Sequence, residues 1–115
     1  MDHGLEKLIG KTITDVEIPD ETTLIFQTTD GPVKYYSSGD CCAQCFFDEL
    51  EVPDFGKSGG LCSAADLGSW EEWPEGTDDT NEQCFGKVDT TAGTITFTLR
   101  LNHNGYYGGE MSLAE

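Results

Sequence analysis

Between positions 94 and 101 the chain reads TITFTLRL, with Ile95, Phe97, Leu99 and Leu101 at every second place and Thr94, Thr96, Thr98 and Arg100 between them. A period of two puts the apolar set on one side of an extended chain and the polar set on the other. That predicts a half-buried antiparallel strand. The preceding QCFGKVDTTAG supplies its hairpin partner, turning near Ala92 and Gly93. Upstream, KTITDVEI places Val16 and Ile18 on one face and TTLIFQT places Leu24 and Phe26 on one face, with Pro19 and Asp20 predicted to turn between them. In QTTDGPVKYY, Asp30 and Gly31 suit a tight turn with positive φ, and Val33 and Tyr35 then share a face opposite Lys34 and Tyr36.

The other segments are less regular. GLEKLIG spaces Leu5, Leu8 and Ile9 by three and one, as in a short N-terminal helix ending at Gly10. CFFDELEV is short enough to read as strand or helical turn, and strand is favoured. From Pro53 to Glu82 the chain mixes Gly, Pro, Ser and acids, which predicts an irregular stretch with an ordered piece around Leu61 to Leu67 and a mobile tip at EEWPEGTDDTNE. In NHNGYY a further turn at Asn104 and Gly105 leads into a last strand carrying Tyr107, Met111 and Leu113 on one side. The expected fold class is mainly β with one short N-terminal helix, a single antiparallel sheet curled into a barrel or sandwich. At 115 residues the chain suits one domain, 1–115, able to bury a core without disulfides or metal.

Charge changes this picture most. The formal net charge is -16, and between Tyr35 and Gly86 twelve carboxylates face a single cation, Lys57. Such a chain repels nucleic acid and anionic membranes and attracts basic partners. No direct nucleic-acid or membrane partner is expected. A solvated acidic surface competes with a protein-binding face in which Trp70 and Trp73 act as anchors among Asp66, Glu71, Glu72, Glu75, Asp78, Asp79 and Glu82. The start MDHGLEKLIGK lacks a basic and an apolar export region, so a cytoplasmic location is expected. The five cysteines are then expected to be reduced thiols.

The stretch SSGDCCAQCFFDEL concentrates three of those cysteines. Cys42 and Cys45 have a zinc-compatible spacing, but a second pair is missing, so a site would have to gather Cys62 and Cys84 from distant segments. Asp40, Asp48 and Glu49 flank the cluster, and nearby negative charge raises a thiol pKa, against redox use. Buried, packed cysteines are the favoured reading, with no metal and no cofactor. Nothing supports hydrolytic catalysis: His103 has no nucleophile motif beside it, and GKSGG lacks the phosphate-loop order. A non-enzymatic protein is expected.

The order of GDCC, at Gly39 to Cys42, and NGYY, at Asn104 to Tyr107, resembles a family of small uncharacterised phage and prophage proteins, along nearly the whole chain. The resemblance implies a setting more than a chemistry. Small acidic phage accessory proteins are often antagonists of host defence, which implies a counter-defence inhibitor of the anti-CRISPR kind that binds a basic surface of a host immune protein in the host cytosol. Two alternatives stand beside it. One is a sponge for a nucleotide immune signal, which would need Lys34, Tyr36, Arg100, Asn104, Tyr106 and Tyr107 to converge. The other is a zinc-binding structural adaptor built on Cys42, Cys45, Cys62 and Cys84.

Overall fold

A computed structural model describes residues 4–39, 44–72, 80–103 and 109–114. Among the described residues nine strands follow one 3-10 turn, Leu5–Leu8: β1 Thr12–Asp20, β2 Thr23–Thr28, β3 Gly31–Gly39, β4 Gln44–Glu51, β5 Gly60–Leu67, β6 Glu71–Glu72, β7 Thr80–Thr90, β8 Gly93–His103 and β9 Gly109–Leu113. Every ladder is antiparallel. The strands run in the order β4-β8-β7-β5-β1-β2-β3-β9, with β6 added beside β7. Among the described residues, no helix is long and apolar enough to cross a membrane.

The sheet bends at β5. Its first residues pair with β1, Leu61 with Thr12 and Gly60 with Ile13, and the rest pairs with β7 from Cys62 to Leu67, with a register shift at the changeover. A bulge adds local bend and twist to a strand. Two halves therefore face each other, β1-β2-β3-β9 and β4-β8-β7-β5, and bury the alternating apolar sets between them. Phe97 of β8 meets Phe26 of β2 edge-on at 6.5 Å and Phe47 of β4 at 5.9 Å, while Phe26 meets Tyr35 at 5.7 Å. Across from the bend, Ser37 Oγ donates to the Cys45 carbonyl at 2.7 Å and Phe47 N–H to the Glu21 carbonyl at 2.7 Å. These contacts hold β3 and the β1–β2 turn against β4, and among the described residues no ladder joins the two ends of the strand order, so the sheet is curled in the manner of a sandwich and not closed as a barrel.

Alternation was a good guide to the core. Ile95, Phe97, Leu99 and Leu101 are buried, as are Leu24, Phe26 and Tyr35, while Lys34 and Tyr36 are exposed. Gly86 makes room for the core from the inside. A Cβ there would lie 2.1 Å from the Phe97 ring, so the ring rests on bare backbone. The expected N-terminal helix is a single 3-10 turn instead, but it buries Leu5 and Leu8 completely. It is tied down by Tyr35, whose hydroxyl donates to the Gly4 carbonyl at 2.8 Å, and by backbone bonds from Gly10 to Cys62 and from Cys62 to Lys11.

Three local expectations need correction. Pro19 and Asp20 lie inside β1, and the turn falls on Glu21 and Thr22. A register shift between Glu17 and Asp20 leaves Pro19 outside regular pairing, where its missing N–H costs little, and Asp20 Oδ1 accepts from Thr22 N–H at 3.0 Å and Thr22 Oγ1 at 2.9 Å. Those two bonds also lower the Asp20 pKa. The next turn is centred on Thr29 and Asp30, and only Gly31 has positive φ, at 115°. Glycine takes that angle because it has no Cβ to clash. Thr28 holds the turn, accepting from Asp30 N–H at 3.1 Å and donating to the Gly31 carbonyl at 2.7 Å. Thr90 repeats both bonds with Ala92 and Gly93 between β7 and β8. Finally, β5, Gly60–Leu67, is the ordered piece expected around Leu61 to Leu67, but the two ends of the stretch expected to be a mobile tip are paired, Glu72 with Glu82, while its residues 73–79 lie outside the described residues.

Candidate functional site

The candidate acidic face is divided by strand parity. Asp66 of β5 is exposed and stands opposite Lys87, while Glu71 of β6 stands opposite Gln83 and accepts from its Nε2 at 3.3 Å. Both belong to the outer surface of β7, with Gln83, Phe85 and Lys87. Glu72 pairs with Glu82, which stands in register with the buried Leu101 and is half-buried. Glu82 is thereby separated from Glu71. Trp70 is 36% exposed, and the Gly68 N–H bond to the Phe85 carbonyl, 2.9 Å, holds this segment beside β7. Trp73, Glu75, Asp78 and Asp79 lie outside the described residues.

A second set of acids joins this surface from β4. Asp48 pairs with Thr98 and Glu51 with Thr96, so three steps along β4 match two along β8. The extra residue forms a bulge, and Glu49 takes a positive φ of 49°. Regular alternation would send Asp48 and Glu49 to opposite faces. The bulge instead sends Asp48, Glu49 and Glu51 outward and lets Leu50 pack against the core. Arg100, on the same outer face of β8, is clasped between the first two: Nη1 to Asp48 Oδ2 at 2.5 Å and Nη2 to Glu49 Oε1 at 2.6 Å. Its side chain is only 12% exposed. Ion pairs held by charge-assisted hydrogen bonds and partly removed from water are stronger than loose surface pairs.

Beside this clasp lies a groove of about 330 Å³, lined by Glu49, Glu51, Phe85, Thr96, Phe97 and Thr98. Its floor is the β8 backbone with two threonines, each bonded to an acid: Thr98 Oγ1 to Glu49 Oε2 at 3.3 Å and Thr96 Oγ1 to Glu51 Oε2 at 3.4 Å. One wall is carboxylate. The other is the ring of Phe85, 46% exposed on the outer face, where an aromatic side chain gains little from burial in the fold. Among the described residues Glu51 has no cationic partner.

Of the nucleotide-site residues, the three that are described do not converge. Lys34 and Tyr36 are on the outer face of β3 in one half, Arg100 is on the outer face of β8 in the other, and its guanidinium is already engaged. Asn104, Tyr106 and Tyr107 lie outside the described residues. The zinc set does not converge either. Cys62 pairs with Thr90 of β7, six positions along that strand from Cys84, which is roughly 20 Å at strand rise and far beyond a shared coordination sphere. Cys42 lies outside the described residues. Cys45, Cys62 and Cys84 are buried thiols, as packing predicts. Burial pushes Cys45 and Cys84 up to about 12, with Cys45 adding to the shift at Cys84, and raises Cys62 as well. The thiolate needed for nucleophilic or redox chemistry is thereby suppressed at these three sites.

A family model described as a domain of unknown function, DUF7448, matches residues 6–113. The chain belongs to the DUF7448 family. Neither the comparison with curated proteins nor that with solved structures gave a match. The matched span runs from within the N-terminal 3-10 turn through β9, so in this DUF7448 chain it takes in the β4 bulge, the Arg100 clasp and the groove.

Sequence reasoning passed over Phe85, Asp48, Glu49 and Glu51 as site residues. A signal for Phe85 was present, because Cys84, Gly86 and Val88 take the inward parity of β7 and leave Phe85 outward with Gln83 and Lys87. The bulge left a weaker trace. Three acids within four positions conflict with any regular half-buried strand.

Proposed function

We propose that this DUF7448 chain is a non-enzymatic inhibitor carried by a phage or prophage, and that it docks an acidic outer face on a basic surface of a host defence protein. The observation that carries the reading is the charge on the outer face of the β4-β8-β7-β5 half. Asp48, Glu49, Glu51, Asp66 and Glu71 share this face with an exposed aromatic ring and outnumber its two cations, Arg100, which is clasped, and Lys87, which stands opposite Asp66. Charge complementarity of this kind accelerates association and selects basic partners, and an aromatic residue within it gives a contact that excludes water. The resemblance of GDCC and NGYY to phage proteins supplies the setting. The distance along β7 between Cys62 and Cys84 and the separation of Lys34 and Tyr36 from Arg100 favour binding over the adaptor and sponge readings.

Affinity capture from a host lysate, with and without nuclease treatment, tests it. The expected result is a protein partner retained after nuclease and released as salt rises. Loss of every partner on nuclease treatment, or capture unchanged by both high salt and the Asp66→Asn/Glu71→Gln double variant, would overturn it.

A further inference from the structure

We infer that the groove between the β4 bulge and Phe85 receives an arginine side chain from the basic partner. This deepens the basic-partner reading and rests on it. Asp48, Glu49 and Glu51 present three carboxylates to one guanidinium, that of Arg100, so the bulge keeps an excess of negative charge after its internal ion pairs are made. The same bulge shows how a guanidinium sits there, since two neighbouring carboxylates each take one terminal nitrogen of Arg100. Glu51 is the next carboxylate along. Among the described residues its Oε2 is held by the 3.4 Å bond from Thr96, and it lines a groove that Phe85 also lines, with Lys87 at the rim in register with Thr96.

A planar cation fits both walls at once. A guanidinium can stack on an aromatic ring while its edge donates to carboxylate oxygens, whereas an ammonium is a strongly hydrated point charge without a flat face. The volume, about 330 Å³, is at the small end of ligand sites, which run from roughly 300 to 1,000 Å³, and suits one inserted side chain better than a large cofactor. The chain's net charge of -16 adds long-range attraction for the segment that carries the arginine. Exposure of Phe85 is thus explained by its use in the complex.

Titration of the full-length, isotope-labelled chain with hexa-arginine, hexa-lysine and hexa-citrulline peptides, followed by amide NMR, tests the assignment. Hexa-arginine should shift Glu49, Glu51, Phe85, Thr96 and Thr98 and bind about threefold or more tighter than hexa-lysine, and hexa-citrulline should not bind. Phe85→Ala and the milder Phe85→Leu should each weaken hexa-arginine by about two- to fivefold and remove its advantage over hexa-lysine. Glu51→Gln should weaken both cationic peptides, and Asp66→Asn should leave the groove shifts in place. Equal binding of arginine and lysine peptides, or shifts confined to the surroundings of Asp66 and Glu71, would overturn the groove assignment and leave the basic-partner reading standing. Absence of binding by either cationic peptide at low salt would overturn both.

Discussion

Replacing Gly86 by alanine should destabilise the fold more than any other single methyl addition on β7. The new Cβ would lie 2.1, 2.3 and 2.5 Å from three atoms of the Phe97 ring, where ordinary contact begins near 3.4 Å. The ring would have to retreat by more than 1 Å, and it is 1% exposed and wedged between Phe26 and Phe47. Overpacking a filled core costs about 1 to 3 kcal/mol, and this geometry belongs at the upper end. Alanine recovers about 0.5 to 1 kcal/mol by restricting the unfolded chain, which leaves a net loss of about 2 kcal/mol. For a domain of this size that corresponds to a fall in Tm of roughly 8 °C. Urea unfolding followed by circular dichroism should show a lower midpoint with an unchanged slope. Phe97→Leu should create a cavity by itself yet accept the alanine, so the double variant should be more stable than the sum of the two losses by about 1 kcal/mol or more. A Gly86→Ala protein within about 0.5 kcal/mol of the parent, or strict additivity with Phe97→Leu, would refute the packing argument.

Other consequences follow from the same structure. Arg100→Gln leaves Asp48 and Glu49 facing each other across the bulge without their cation, and should cost about 1 to 2 kcal/mol in urea unfolding, less at high salt because both acids are partly exposed. Tyr35→Phe removes a buried hydroxyl from the Gly4 carbonyl, and should cost about 1 kcal/mol and increase proteolysis before Leu5. Cys45 and Cys84 should resist alkylation in the native protein at pH 8 and react on unfolding. Because burial raises both thiols from 9.0 to about 12, the folded state holds protons that the unfolded state has lost between those values. Their contribution to stability is complete below pH 9 and disappears as pH rises toward 12, and a Cys45→Ala/Cys84→Ala variant should lose that part of the alkaline decline.

How far the sequence could be read depended on which physical rule dominated each segment. In β8 an apolar face of four alternating residues leaves only one register that buries it, and the structure follows that alternation. Turn chemistry was legible to within a residue, since Gly31 and Gly93 both mark turns, but threonine hydroxyls at Thr28 and Thr90 decide which residues occupy the corners. Long-range pairing was not legible. β6 is two residues long, and its order comes from pairing with Glu82 and Gln83 of β7 across an intervening loop, which local propensity does not reveal. The candidate site moved for a related reason. The acids of the 66–82 stretch stood out by number, whereas the outward gathering of Asp48, Glu49 and Glu51 depends on one bulged residue with a φ of 49° that composition does not encode. The cysteines stood out by density, and the structure assigns those it describes to the core.

The proposed role of the acidic outer face is docking to a basic partner. The most direct measurement is the affinity of the nuclease-resistant captured protein for the parent chain and for the Asp66→Asn/Glu71→Gln variant, between about 50 and about 500 mM salt. Affinity should fall steeply with salt for the parent, and less steeply, from a weaker start, for the variant. A binding curve that is flat across that range and identical for the two proteins would contradict it.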